Sequence, residues 1–176
     1  INPKKFELII ILPFKTDLIK KLSKYNVKII VLDTPYELKV YGQKTLNSSI
    51  LSKFLTTLSL VKYSFKLRKL ILEQKIDSIY CNGIRSVLTL CIASIITNRP
   101  ILWYVKGQLE NNILDRLAFF FSKKIIFYSS SNSKDKYPLL RYLFKKKIAI
   151  IPTGLDLNKI EKIKETDSSY ISVSYT

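Results

Sequence analysis

Short runs of apolar residues recur along the chain, and most of them are apolar at every position rather than at alternate ones. Strands with that pattern are covered on both faces, as in a parallel sheet. Successive runs begin 20, 52, 22, 23 and 23 residues apart, and all but the long second interval match the length that a strand, a helix and two short loops need. The pattern predicts strands at Glu7–Leu12, Val27–Leu32, Ile79–Cys81, Ile101–Val105, Lys124–Tyr128 and Lys147–Ile151.

The segments between these runs have helical spacing. The 52-residue interval predicts a long amphipathic helix from about Ser49 to Gln74, with an apolar stripe of the kind that faces a core. That stripe is Leu51, Leu55, Leu58, Val61, Phe65 and Leu72, while Lys62, Lys66 and Lys69 lie on the other side. Shorter helices are predicted at Asp17–Tyr25, from Ser86 to Ile96, from Asn112 to Phe121, and from Ser131 or Ser133 towards Tyr142, where Pro138 interrupts the pattern.

Alternating strands and helices predict an α/β fold with a doubly wound, mostly parallel, Rossmann-like sheet. A chain of 176 residues suits one domain, which we expect over residues 1–163. Residues 164–176 are polar and then weakly strand-like, and we interpret them as a linker towards a domain that is absent. Position 1 is Ile, which indicates a fragment or a trimmed chain.

The chain carries 30 basic and 13 acidic residues, a net charge of +17, and 25 of the basic residues are Lys. Either A+T-rich codon usage or an anionic membrane surface accounts for this excess, since such a surface attracts lysine. The lysine clusters are either solvated faces or membrane contacts: Lys20, Lys21 and Lys24, then Lys62, Lys66 and Lys69. The longest apolar stretch, Val87–Val105, is interrupted by Asn98, Arg99 and Pro100, so we predict no transmembrane helix.

The residues that are missing or rare exclude several kinds of chemistry. The sequence has no His, which excludes a His-containing triad and a His-ligated metal within this chain. Its two cysteines, Cys81 and Cys91, lie in apolar segments without CxxC spacing, and we expect buried reduced thiols in a cytosolic protein. The sequence contains no Walker loop, GxGxxG, GxSxG or metal-ligand cluster, and we expect no bound metal or cofactor.

Ligands of open α/β sheets bind beyond the carboxyl ends of the strands. That rule selects the loops Pro13–Thr16, Asn82–Arg85, Lys106–Asn111, Ser129–Ser133 and Pro152–Asp156. The side chains there suit a phosphorylated or hydroxylated ligand: Lys106 for a phosphate, Glu110 for a sugar hydroxyl or its proton, and Asn82 for a hydroxyl, beside Gly83, Gly107, Ser129 and Ser130. Three structural alternatives remain open: Asn82-Gly83 is only a turn, Lys106–Glu110 is a plain loop, and the serines cap the next helix. Trp103 and Tyr104 adjoin this crevice, and we expect at least one of them in the core.

Four segments together resemble the N-terminal half of GT-B glycosyltransferases, particularly family 4. They are ELIIILPFKTDLIKKLSKYNVKIIVL, KIDSIYCNG, RPILWYVKG and KIAIIPTGLDLNKI, and the resemblance covers about residues 6–163. The last segment is similar to the family's Asn-Gly-x-Asp consensus, which adds Thr153, Gly154 and Asp156 to the candidate substrate-binding residues, although Thr153 replaces the Asn. Lys106 lies where the family often has a His, so a catalytic role rests only on the candidates Lys106 and Glu110.

The resemblance implies an acceptor-binding half of a hexosyltransferase that acts on a polysaccharide or a lipid-linked acceptor. The family's first strand and Gly-rich loop would precede Ile1, and an absent C-terminal domain would hold the nucleotide-sugar donor. We therefore expect this chain alone to be inactive and to work in the cytoplasm, peripherally on the inner membrane face. The alternatives are a non-catalytic membrane-recruiting subunit that partners a separate catalytic chain, half of a nucleotide-sugar epimerase, and a basic nucleic-acid binder. The lack of His argues against the epimerase, and the scarcity of Arg against nucleic acid.

Overall fold

The computed structural model describes residues 5–25, 27–39, 49–106, 109, 112–129 and 142–152. The strands are β1 (Ile9–Leu12), β2 (Lys28–Val31), β3 (Ile79–Cys81), β4 (Ile101–Val105), β5 (Lys124–Phe127) and β6 (Ile148–Ile150). The helices are α1 (Leu18–Leu22), α2 (Tyr36–Lys39), α3 (Ile50–Glu73), α4 (Ile84–Thr97) and α5 (Ile113–Phe121), and a 3-10 turn at Lys145–Lys147 precedes β6. All six predicted strands are present within two residues of their predicted bounds. Among the described residues, the sequence pattern missed the short helix α2 and the 3-10 turn.

Every strand pair in the described residues is parallel. β3, β4, β5 and β6 are hydrogen-bonded side by side in that order, while β1 pairs with β2 alone. The prediction of a parallel, Rossmann-like α/β fold is therefore confirmed. The expectation of one layer of six strands is wrong for the described residues, which form two sheets. The spacing of apolar runs sets the length of each crossover, but it does not determine which strand edges pair.

The core lies between the four-stranded sheet and a layer of helices in which α4 contacts both α3 and α5. Ile101, Trp103 and Val105 of β4 point into this core, while Leu102 and Tyr104 on the opposite face stay partly exposed. The same alternation occurs in β3, where Tyr80 is exposed between two buried residues. The apolar runs predicted strands that are buried on both faces. That prediction is wrong for β3 and β4, which are fully buried on one face only.

The long helix α3 confirms the predicted length but corrects the predicted face. Its buried residues are Thr56, Tyr63, Ser64, Leu67, Leu70 and Ile71. The stripe expected in the core is mostly exposed instead, since Leu51, Leu55, Leu58, Phe65 and Leu72 all lie in solvent and Val61 is only partly buried. The expectation that Lys62, Lys66 and Lys69 lie opposite the stripe is also wrong, because these exposed lysines follow Leu58 and Phe65 at helical spacing on the same side. Apolar residues occur around most of this helix, so spacing alone assigns the more hydrophobic face to the core. The neighbouring sheet selects the face that carries Tyr63, whose hydroxyl donates to the carbonyl oxygen of Leu32 at 3.1 Å.

The stretch Val87–Val105 is divided between α4 and β4. Of the helices in the described ranges, none combines the length and the apolar character that a bilayer crossing requires. Cys81 and Cys91 are both buried and free of disulfides, as predicted, and burial raises the pKa of each thiol. Trp103 is also in the core, where its ring meets that of Phe119 edge to face at 5.6 Å.

The side chain of Lys147 caps the C-terminal end of α5. Its ammonium group donates to the carbonyl oxygens of Phe120 at 2.9 Å and Phe119 at 3.3 Å, and lies 4.9 Å from the ring centroid of Phe144. A cation at this end of a helix is favourable because the last carbonyl groups have no partner within the helix. Partial burial opposes the charge and lowers the pKa of Lys147.

Replacing Lys147 with Met should lower the free energy of unfolding by about 1 kcal/mol, because the carbonyl oxygens and the Phe144 ring lose their cation. Urea denaturation measures the change. The matched control is Lys145→Met, since Lys145 is exposed in the same 3-10 turn and its loss should cost less than about 0.5 kcal/mol. Equal losses in the two variants would show that the contacts of Lys147 contribute nothing specific.

Candidate functional site

The carboxyl ends of β3, β4, β5 and β6 meet at one edge of the sheet because these strands are parallel. Asn82, Lys106 and Ser129 follow β3, β4 and β5, and Pro152 follows β6. Asn82 and Lys106 are exposed there, while Ser129 and Gly83 are partly buried. The topology therefore brings four of the predicted site residues, Asn82, Gly83, Lys106 and Ser129, to one rim.

The strand register sets their relative heights on this rim. Cys81 faces Trp103 and Val105 faces Phe127, so β4 continues two residues beyond the end of β3. At roughly 3.3 Å per residue, Asn82 lies about 7 Å below the level of Lys106. Ser129 comes two residues after Phe127, slightly above Lys106. The rim is a stepped surface, with Asn82 on the lower step and Lys106 with Ser129 on the upper one.

Helix α4 starts directly at the lower step. Gly83 is its N-cap residue, and no side chain caps the first turn. The prediction that Ser86 is the cap is wrong, because the cap, Gly83, lies three residues earlier and the Ser86 hydroxyl donates to the Gly83 carbonyl oxygen at 2.7 Å. No acidic residue lies in the first turn, and Arg85 lies there exposed. Such a helix start favours an anionic group, since its amide groups and its dipole both present positive charge.

Helix α5 starts differently. Its predicted cap, Asn112, is confirmed, and it forms a capping box with Asp115. The Asp115 amide donates to the Asn112 side chain at 3.0 Å, and the Asn112 amide donates to the Asp115 carboxylate at 3.3 Å. Asp115 is only 3% exposed, so this carboxylate already occupies the positive end of α5. Of these two helix starts, α4 is therefore the one suited to an anionic ligand.

Two tyrosines lie below the rim on the open face of the sheet. The rings of Tyr80 and Tyr104 are stacked with centroids 6.3 Å apart, and Tyr80 is exposed. Partial burial raises the pKa of Tyr80, and its neighbour Tyr104 adds to that shift. Sequence reasoning placed Tyr104 beside the crevice but gave no role to Tyr80. No signal in the sequence distinguished Tyr80, because its run is apolar at every position and the alternation of buried and exposed positions in β3 appears only in the structure.

The remaining site predictions fall outside the described residues. They are Gly107, Glu110, Ser130, Thr153, Gly154 and Asp156. The helix predicted from Ser131 or Ser133 and the domain boundary after residue 163 also lie outside the described residues. The lysines of both clusters are exposed. In the described ranges, no group of three or more Cys, Asp or Glu side chains is arranged to hold a metal ion.

The chain shares its fold with solved glycosyltransferases of the GT-B class. HepE from Anabaena, in complex with UDP and glucose, matches with a TM-score of 0.55 at 15% sequence identity, over 85% of this chain and 37% of HepE. MurG from Acinetobacter baumannii matches with a TM-score of 0.54 at 11% identity, over 85% of this chain and 38% of MurG. No protein-family model and no curated protein sequence matches the chain.

The chain spans less than two fifths of the length of these structures. At such low identity the likeness concerns the fold, and it agrees with the arrangement of parallel strands and flanking helices described above.

Proposed function

We propose that this chain is the acceptor-binding half of a glycosyltransferase that transfers a hexose from a nucleotide-sugar to a polysaccharide or a lipid-linked acceptor. One observation carries the proposal: a rim with Asn82, Lys106 and the uncapped start of α4 lies at the carboxyl edge of a fold shared with HepE, whose structure contains UDP and glucose. Ligands of open parallel sheets bind at this edge.

The rim residues suit distinct parts of a sugar acceptor. Asn82 offers both a donor and an acceptor for hydroxyl groups, and Lys106 offers a positive charge to a phosphate on the upper step. The start of α4 at Gly83 and Arg85 offers a second position for an anionic group. A lipid-linked sugar carries both hydroxyl groups and phosphate, so the rim has complementary chemistry for each.

Stabilising the departing nucleotide diphosphate is the main electrostatic requirement of sugar transfer, and it needs positive groups on the donor side of the cleft. The resemblance assigns those groups to a C-terminal domain outside this sequence. Incubated alone with labelled nucleotide-sugars and with lipid or sugar acceptors, the chain should transfer no sugar above background. Transfer by the chain alone would contradict the assignment to one half of a site.

Acceptor binding tests the rim directly. Calorimetric titration with glucose 1-phosphate, which carries both hydroxyl groups and a phosphate, should detect binding. Asn82→Ala or Lys106→Ala should weaken it about tenfold, since each removes one side chain that hydrogen-bonds the ligand. Lys145→Ala is the control, because Lys145 is exposed before β6, at the opposite edge of the sheet. Binding that both rim variants leave unchanged would place the ligand elsewhere and overturn the proposed site.

A non-catalytic subunit that recruits a separate catalytic chain to a membrane is the second candidate, favoured by the +17 charge. The two candidates differ in where the donor domain is encoded. A donor domain in frame after Thr176 supports the enzyme half, while a stop codon there with a donor-domain gene adjacent supports the recruiting subunit.

A further inference from the structure

Lysines lie close together at the amino edge of the four-stranded sheet, where β5 and β6 begin. We call four of them the basic corner: Lys123, Lys124, Lys146 and Lys147. Ile125 faces Ile148 in the strand register, so the lysines directly before these two residues lie side by side. Burial, and then the like charge of Lys123, lower the pKa of Lys147. The fold therefore holds several positive charges near one another at this corner.

Contacts within the chain fix two of these ammonium groups. The Lys124 ammonium donates to the carbonyl oxygen of Lys146 at 3.0 Å, and the Lys147 ammonium donates to the last carbonyl oxygens of α5. The ion pairs of the described residues lie elsewhere, between Lys69 and Glu73 and between Arg99 and Asp77. The two stretches that meet at the corner, residues 120–125 and 142–148, contain no acidic residue. No carboxylate of the described residues thus offsets the repulsion between these lysines.

Exposed apolar side chains border the basic corner. Phe120 is 66% exposed, and the Lys147 ammonium lies 6.0 Å from the centroid of its ring. Leu143 is 63% exposed and directly precedes Phe144, whose ring centroid is 4.9 Å from the same ammonium. Protein interfaces combine aromatic and aliphatic contacts with a charged margin. The corner has both of these features in one place.

We infer that the basic corner binds an acidic segment of a second protein, whose carboxylates pair with the lysines and whose apolar side chains cover Phe120 and Leu143. Complementary charge steers and orients such a partner, and the apolar contacts leave water when it binds. The corner and the rim lie at opposite edges of the sheet, about 13 Å apart along the four residues of β5. A partner can therefore occupy the corner without covering the rim, and the inference does not depend on the proposed sugar transfer.

Charge and shape decide against two other occupants. A second copy of the chain also carries a net charge of +17, so two copies repel each other. A nucleic acid would neutralise the lysines, but Leu143 offers no ring on which a base can stack. None of the four cations is Arg, whose planar group pairs with a phosphate through two hydrogen bonds. An acidic segment with apolar side chains matches the lysines, Phe120 and Leu143 together.

Fluorescence anisotropy of a labelled acidic peptide tests the inference with the 176-residue chain at physiological salt. The probe is a peptide of roughly twelve residues, two thirds Glu and one third Leu, which supplies both kinds of contact. Lys123→Gln with Lys146→Gln should weaken its binding at least about tenfold. Both side chains are exposed, and the hydrogen bonds of Lys124 and Lys147 are kept, so the fold should survive the change, which circular dichroism checks.

The matched control for charge lies on α1. Lys20→Gln with Lys21→Gln removes the same charge from exposed positions there and should weaken peptide binding less than about threefold. Equal losses in the two lysine pairs would show that the peptide senses net charge and would overturn the assignment. Binding of a single-stranded oligothymidylate of equal charge as tightly as the peptide would assign the corner to nucleic acid instead. A loss of binding to anionic lipid vesicles by the corner pair as large as its loss of peptide binding would assign the corner to lipid.

The apolar contacts have a test of their own. Phe120→Ser with Leu143→Ser should weaken binding of the Glu and Leu peptide at least about fivefold, because the leucines lose their contacts. A peptide with Ser in place of Leu should bind the wild type and this variant equally, since it has no apolar side chain to lose. Full binding of the leucine peptide by the variant, or equal losses for both peptides, would contradict a role for Phe120 and Leu143 in the interface.

Discussion

Truncating Phe119 to Ala should lower the free energy of unfolding by about 3–5 kcal/mol, the usual cost of deleting a buried aromatic ring. Phe119 is 1% exposed, and its ring lies 5.6 Å from that of Trp103 and 5.8 Å from that of Phe144. The ring thus joins α5 to the middle of the sheet and to the segment before β6. Natural domains have total stabilities of roughly 5–15 kcal/mol, so this one change removes a large part of the total.

Urea denaturation, followed by near-ultraviolet circular dichroism, measures the loss of stability. The slope of the free energy of unfolding against urea concentration should be the same in the variant as in the wild type. The matched control is the next residue. Phe120 is 66% exposed on the same helix, and Phe120→Ala should cost under about 1 kcal/mol. If both variants lose the same stability, the ring of Phe119 does not hold the helix layer on the sheet.

The strands of this fold could be predicted from the sequence because parallel strands are apolar and their crossovers have a nearly constant length. β4 illustrates this, since ILWYV is bounded by Pro100 and Lys106 and its predicted bounds match the observed ones. The number of sheets could not be predicted. Whether β1 pairs with β3 depends on contacts between residues about 70 positions apart, which no local pattern encodes.

Helix α3 shows a second limit of pattern reasoning. Its buried face includes Thr56 and Ser64, whose hydroxyl groups donate to carbonyl oxygens one turn earlier, at 2.9 Å and 2.7 Å. Polar side chains that satisfy their hydrogen bonds within the helix can be buried at little cost. Hydropathy ranks these two positions as surface and Leu51, Leu55 and Leu58 as core, and here the fold reverses that order.

The candidate site was predictable in outline and not in detail. The order of the strands along the chain and the rule for parallel sheets are enough to place Asn82, Lys106 and Ser129 on one rim. The two-step shape of the rim depends on strand register, and the open start of α4 depends on the helix beginning at Ile84 rather than after Ser86. Both follow from tertiary packing, which sequence spacing does not specify.

Cys81 should make the fold sensitive to alkaline pH. It is 1% exposed, and burial raises the pKa of its thiol to about 12, an effect that a hydrogen bond with Ser86 only partly offsets. The thiol of an unfolded chain loses its proton near pH 9. Between these two pKa values the unfolded state binds fewer protons than the folded state, so the free energy of unfolding falls as pH rises. The stabilising contribution of the Cys81 thiol is complete below its pKa in the unfolded state, and it is lost as the pH approaches its pKa in the folded state.

Between about pH 8 and about pH 10.5, Cys81 should account for a loss of roughly 2 kcal/mol in the free energy of unfolding. Cys81→Ala removes that titration. The variant is less stable than the wild type at neutral pH because of the cavity it leaves, but the difference between the two should shrink by roughly 2 kcal/mol over the same interval. Urea denaturation at the two pH values measures this convergence.

Val87→Ala provides the control for Cys81→Ala. Val87 is fully buried in the same core and carries no ionisable group, so its truncation should lower stability equally at both pH values. Tyr63, Tyr80 and Cys91 also have raised pKa values, but they titrate in all three proteins and cancel in the comparison. Convergence with the wild type is therefore specific to the Cys81 thiol. Parallel curves for the wild type and Cys81→Ala would mean that this thiol does not couple folding to pH.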